Sequence, residues 1–177
     1  MKKISILFIA CFLILSSCSS NDDETKVSEN IIGTWIATNL SLSGEIITVI
    51  EGQTITSTLV GEGYDLTNRL IFSESPNLVE SEGKLNMTLS YTINDITLSE
   101  DIEDFEFLTD GIWEIKGSEL IITSSEEDID DDEVREVKIA KLTDNELVIK
   151  ITEDEEEIEN GETITSSIEV LVSFVRQ

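Results

Sequence analysis

The side chains in this chain that could do chemistry are almost all carboxylates. Its 177 residues hold 38 Asp and Glu, no histidine and two cysteines, Cys11 and Cys18. Without histidine there is no Ser-His-Asp or Cys-His relay, no imidazole shuttle near neutral pH and none of the usual zinc sites. Carboxylates alone could serve a glycosidase, which sets an acid and a second carboxylate at a fixed separation. No pair stands out among so many, and no aromatic cluster marks a sugar cleft; Tyr64 and Tyr91 are isolated. Carboxylates could also hold a hard cation, and Asp128, Asp130 and Asp132 take the first, third and fifth positions of a calcium loop. The sixth position would then be Glu133 instead of glycine, the twelfth Ile139 instead of glutamate, and the flanks read as strands. This is not an EF-hand. These three aspartates are weak metal candidates beside the plainer reading of a solvated loop of mutually repelling charges, which also fits Glu153-Asp154-Glu155-Glu156-Glu157. The residues predict a non-catalytic chain with no cofactor and no assigned metal site.

Cys18 belongs to a different pattern. Lys2 and Lys3 precede an apolar run from Ile4 to Leu15, followed by Leu15-Ser16-Ser17-Cys18. A basic start and an apolar stretch make an export signal. As a helix, a run of about twelve residues rises only ~18 Å, too short for a hydrocarbon core of ~30 Å. The small residues before Cys18 resemble the lipobox of bacterial lipoproteins; an ordinary secretory cleavage site is the alternative. The resemblance divides the chain into a signal peptide (1–17), a lipidated cysteine with a polar acidic tether (18–30) and one folded domain (31–177). It implies diacylglyceryl and palmitate chains on Cys18 and a place in the cell envelope, at the outer membrane, on its periplasmic or surface face. Asp22-Asp23-Glu24 resembles short acidic export signals and reads equally well as a solvated linker.

The 11 Lys and Arg against 38 acids give a formal charge of −27, or −29 once Lys2 and Lys3 leave with the signal. Such a charge favours solubility and opposes phosphate backbones, so nucleic acid is excluded as a partner, while cations or a cationic protein remain. With Cys11 in the signal and Cys18 assigned to the lipid, no disulfide is expected in the folded domain.

From Ile31 onward the dominant signal is period two, in an Ile-, Val- and Thr-rich chain. Candidate strands are Thr34–Leu40, Glu45–Glu51, Gln53–Val60, Arg69–Ser73, Lys84–Ile93, Ile112–Lys116, Glu119–Ser124, Val134–Leu142, Glu146–Thr152 and Thr163–Val175. Turn signals fall at Ser43-Gly44, Glu51-Gly52, Lys116-Gly117-Ser118, Asp144-Asn145 and Asn160-Gly161. Ile96–Leu108 is ambiguous between a short helix and an irregular crossing. Strands joined by tight turns, without helical crossovers, predict an all-β fold. An antiparallel up-and-down barrel, which removes edges, is expected, with a two-sheet sandwich as the alternative.

The domain opens with Ile31-Ile32-Gly33-Thr34-Trp35. With Gly111-Ile112-Trp113-Glu114-Ile115, the hairpin Leu142 to Ile149 and the closing Phe174-Val175-Arg176, it resembles the lipocalin-like domains of bacterial lipoproteins. The resemblance implies that Gly33 lets the entering chain cross closely, that Trp35 packs across one barrel end, and that Arg176 stacks on it. It also implies a small apolar or amphipathic ligand in the barrel. The residues themselves leave a second reading open, because medium-sized Ile, Leu and Val on the apolar faces would fill the interior and leave a surface module for a protein partner. Trp35 and Trp113 lie 78 residues apart; each reads as an independent core residue, with a barrel-end role, and not as the mark of a duplication.

Overall fold

A computed structural model describes residues 30–124, 134–159 and 162–177. Its strands are β1 (Gly33–Ile50), β2 (Gln53–Tyr64), β3 (Arg69–Ser73), β4 (Leu78–Glu82), β5 (Asn86–Ile93), β6 (Ile96–Ile102), β7 (Gly111–Lys116), β8 (Glu119–Ser124), β9 (Val134–Leu142), β10 (Glu146–Glu159) and β11 (Glu162–Arg176). All pair antiparallel in one sheet, and β11 pairs back onto β1. The ring β1-β3-β4-β7-β8-β9-β10-β11 is a closed eight-stranded barrel.

The three strands outside the ring are the upper halves of broken legs. β1 pairs through Gly33–Ile36 with β3 and through Ser41–Ile50 with β2, so β2 and β3 form one descending leg. β5 continues β4 in the same way, the two lying beside β2 and β3 respectively. β6 and β7 then lie beside β5 and β4. The chain is therefore an up-and-down meander of eight legs. Its lower part closes into the barrel, and its upper part opens as a wing in the order β10-β11-β1-β2-β5-β6.

Alternation places the core. On β11, Val170, Val172 and Phe174 point inward and are buried, as are Leu147 and Ile149 on β10 and Leu40 and Leu42 on β1. Of the expected turns, Glu51-Gly52 holds, with positive φ at both residues, as a primed hairpin turn requires; Lys116-Gly117-Ser118 and Asp144-Asn145 likewise join β7 to β8 and β9 to β10, and Asn160-Gly161 lies outside the described residues. Ser43-Gly44 is not a turn. It lies within β1, where a Cβ on Gly44 would come 2.9 Å from the Ser167 carbonyl oxygen. Here glycine marks a close approach of β11. Ile96–Leu108 contains no helix but strand β6 followed by an irregular crossing. Glu153 to Glu157 lie on β10 and not in a loop, because β11 supplies the whole ladder on one side.

Gly33 has φ of 130°, and a Cβ there would sit 2.7 Å from an Arg176 guanidinium nitrogen. Gly33→Ala is expected to destabilise the fold by about 1–3 kcal/mol through backbone strain, read as a lower urea midpoint.

Candidate functional site

Both tryptophans floor the barrel. Trp35 is fully buried and donates its indole N–H to the Ile31 carbonyl at 2.7 Å. The Arg176 guanidinium lies 4.2 Å above its ring. Arg176 also donates to the carbonyls of Asn30, Ile32 and Asp144. One side chain thus ties the entering chain, the closing strand and the β9–β10 turn together. Trp113 donates to the carbonyls of Ser73 and Leu78, at 3.0 and 3.1 Å, and meets Phe72 edge-on at 5.9 Å.

Above this floor the inward positions carry large side chains. Leu70, Phe72, Leu120, Ile122, Leu147, Ile149, Val172 and Phe174 are all essentially inaccessible to solvent. An eight-stranded barrel is just wide enough to be filled by side chains or to hold one small ligand, so residue size decides, and these residues fill it. The crossing between β6 and β7 closes the upper mouth. Phe107 and Leu108 are each 3% exposed, and Phe107 lies 6.5 Å from the Phe174 ring. The crossing is fastened on two sides. Phe105 N–H donates to Leu85 O at 2.7 Å, Ser81 N–H to Asp110 Oδ1 at 2.6 Å, and Arg135 to the Phe107 carbonyl at 2.5 Å.

Outside the crossing lies an open cleft of about 610 Å³, lined by Asn68, Ser81, Lys84, Leu85 and the crossing itself. Lys84 pairs with Asp104 across it at 2.6 Å, and that hydrogen bond holds the Lys84 ammonium above the usual lysine range. Asn68 is 5% exposed; its amide donates to Ser81 Oγ and to the Glu82 carbonyl, and its backbone carbonyl accepts from Ala37 N–H. Its Oδ1 is buried without a hydrogen-bond donor among the described residues.

The wing continues the inward face of the barrel into solvent. One row across it runs Glu153, Ile168, Gly44, Leu59, Tyr91, Leu98, and the next Glu155, Ser166, Ile46, Ser57, Ile93, Ile96. Ile96 and Leu98 are 66% and 67% exposed. Tyr91 donates to Glu100, and this bond, followed by burial, raises its phenol above the ordinary tyrosine range. The opposite face is lined by serine and threonine on β2, β5 and β11, with Val60 exposed among them.

The structure brings Gly33, Trp35 and Arg176 together at one barrel end, with Trp113 at the same end in a separate cluster. Cys18, Asp128, Asp130 and Asp132 lie outside the described residues. Among the described residues, no cluster of His, Cys, Asp or Glu could hold a metal, and no helix is long and apolar enough to cross a membrane. Sequence reasoning missed the crossing as a plug and the wing as a surface. Phe105-Glu106-Phe107-Leu108 was the available signal for the plug, an apolar knot inside a segment without a clear period. No family model, curated protein or solved structure matches the chain.

Proposed function

We propose that this chain is a non-enzymatic lipoprotein of the cell envelope, held to the membrane by an acylated Cys18, whose lipocalin-like barrel is a filled post and whose wing meets a protein partner. The observation that carries this reading is the interior. It is floored by Trp35 and Trp113, packed by aliphatic side chains and plugged by Phe107 and Leu108, which leaves a ligand no room among them. The geometry suits display. The chain enters at the floor, where Arg176 grips Asn30 and Ile32, and the 18 residues of β1 run upward from it over a strand length of roughly 55–60 Å at ~3.3 Å per residue. The wing therefore points away from the anchored end. At its β6 end Ile93, Ile96 and Leu98 are exposed side by side, and an exposed apolar cluster is the kind of surface that marks association.

A second reading, carriage of a small amphipathic ligand, is supported by the cleft beside Asn68, whose volume falls within the ~300–1,000 Å³ range of ligand pockets. The anchor is tested by Cys18→Ser. The variant is expected to lose acyl label and move from the membrane to the soluble fraction, since stable attachment needs more than one chain on the cysteine. Full retention in the membrane fraction would contradict it.

A further inference from the structure

We infer that the free edge of β6 accepts an extended cationic strand from a partner protein, adding a seventh strand to the wing. The inference rests on the interaction reading above and names its surface. The wing has two edges, and they differ. On β10, Glu153, Asp154, Glu155, Glu156 and Glu157 are exposed in succession, the kind of charge density that keeps strands from adding. β6 opens instead with Ile96, Thr97, Leu98 and Ser99, and no described strand pairs with its outer side.

The hydrogen-bond phase of β6 follows from its turn. Asn94 and Asp95 have φ of 49° and 65°, a two-residue type I′ turn that makes Ile93 and Ile96 a hydrogen-bonded pair. Alternation then assigns the backbone groups of Leu98 and Glu100 to β5 and aims those of Thr97, Ser99 and Asp101 outward. Side chains approach more closely in non-hydrogen-bonded pairs. Thr92–Thr97, Ser90–Ser99 and Thr88–Asp101 contacts at 2.9, 2.8 and 2.7 Å fit that phase. An added strand would find three donors and three acceptors, an apolar row at Ile96 and Leu98 ending in Glu100 on one face, and Thr97, Ser99 and the carboxylate of Asp101 on the other. An occupant alternating apolar and basic residues matches both faces. A second copy matches poorly because it would join two chains that each carry a formal charge of −27, a repulsion that a cationic strand replaces with attraction.

The test uses the purified lipidated protein in mild detergent and a labelled synthetic peptide of about nine residues alternating valine and lysine, read by fluorescence anisotropy. Saturable binding is expected, weakening with salt. Ser99→Pro removes an outward N–H and spares the β5 ladder, where an edge strand tolerates proline. It is expected to weaken binding about tenfold, the equivalent of one lost backbone hydrogen bond. Leu98→Lys, which leaves the backbone alone, should weaken it as well. No saturable binding to the unmodified protein, binding by either variant as tight as by the unmodified protein, or equal binding of a valine–glutamate peptide would overturn the inference, as would a concentration-dependent dimer lost in Ser99→Pro. Those outcomes leave the filled barrel intact, whereas a lipid found within the barrel overturns the interaction reading whatever the peptide does.

Discussion

Trp35→Ala is expected to destabilise the domain by about 3–5 kcal/mol, the range for emptying a large buried aromatic site. Trp35 is fully buried, its indole N–H holds Ile31, and its ring carries Arg176. The stack alone is worth ~0.5–2 kcal/mol. It is not added to the packing loss, because neighbouring contributions of this kind do not sum. Against a typical total of ~5–15 kcal/mol, the variant should unfold at a markedly lower urea concentration. Trp35→Phe should recover much of the loss by refilling the floor, though without the hydrogen bond to Ile31. A Trp35→Ala midpoint equal to the parent's would mean that the floor does not hold the barrel shut.

Phe107→Ala is expected to cost a similar ~3–5 kcal/mol and to change what the protein can bind. The side chain sits in the upper mouth, 6.5 Å from Phe174 and flanked by Leu108, and the crossing that carries it is fixed at Leu85, Ser81 and Arg135. With those ties intact, the crossing cannot simply collapse into the space left behind. An apolar cavity of this kind stays dry and takes up small aromatic molecules. The variant should therefore bind benzene or a naphthalene dye that the parent excludes, and be stabilised by it in proportion to occupancy. Dye binding by the parent, unchanged in the variant, would show that the mouth is already open.

The barrel was legible because each leg of the meander carries its own signal. Ile164, Ile168, Val170, Val172 and Phe174 fall on one face of β11, and Glu51-Gly52 stands between two alternating runs. Legibility failed where structure depends on neighbours. β4 is five residues with one fully buried side chain, Val79, and it exists because β3 and β7 pair with it. Glu153 to Glu157 read as loop because charge density disfavours strands, yet the β11 ladder holds them extended. At the site, the Gly33-Thr34-Trp35 opening and Arg176 were visible in the sequence, and the structure places them in contact. The three other ties of Arg176 go to backbone carbonyls, which no residue pattern encodes. The open wing was hidden for a related reason: a meander of eight legs predicts closure, and only the breaks near Asp65, Gly83 and Asp104, all at positive φ, let the upper halves diverge from the ring.

A barrel filled by its own side chains carries no extractable ligand. Native mass spectrometry of the protein purified from its own envelope, released gently from detergent, tests it most directly. A single mass, equal to the mature chain from Cys18 plus its covalent acyl groups, is expected. A second, heavier species that loses a small lipid-sized molecule on activation, and that vanishes when Phe107 is enlarged to tryptophan, would contradict it.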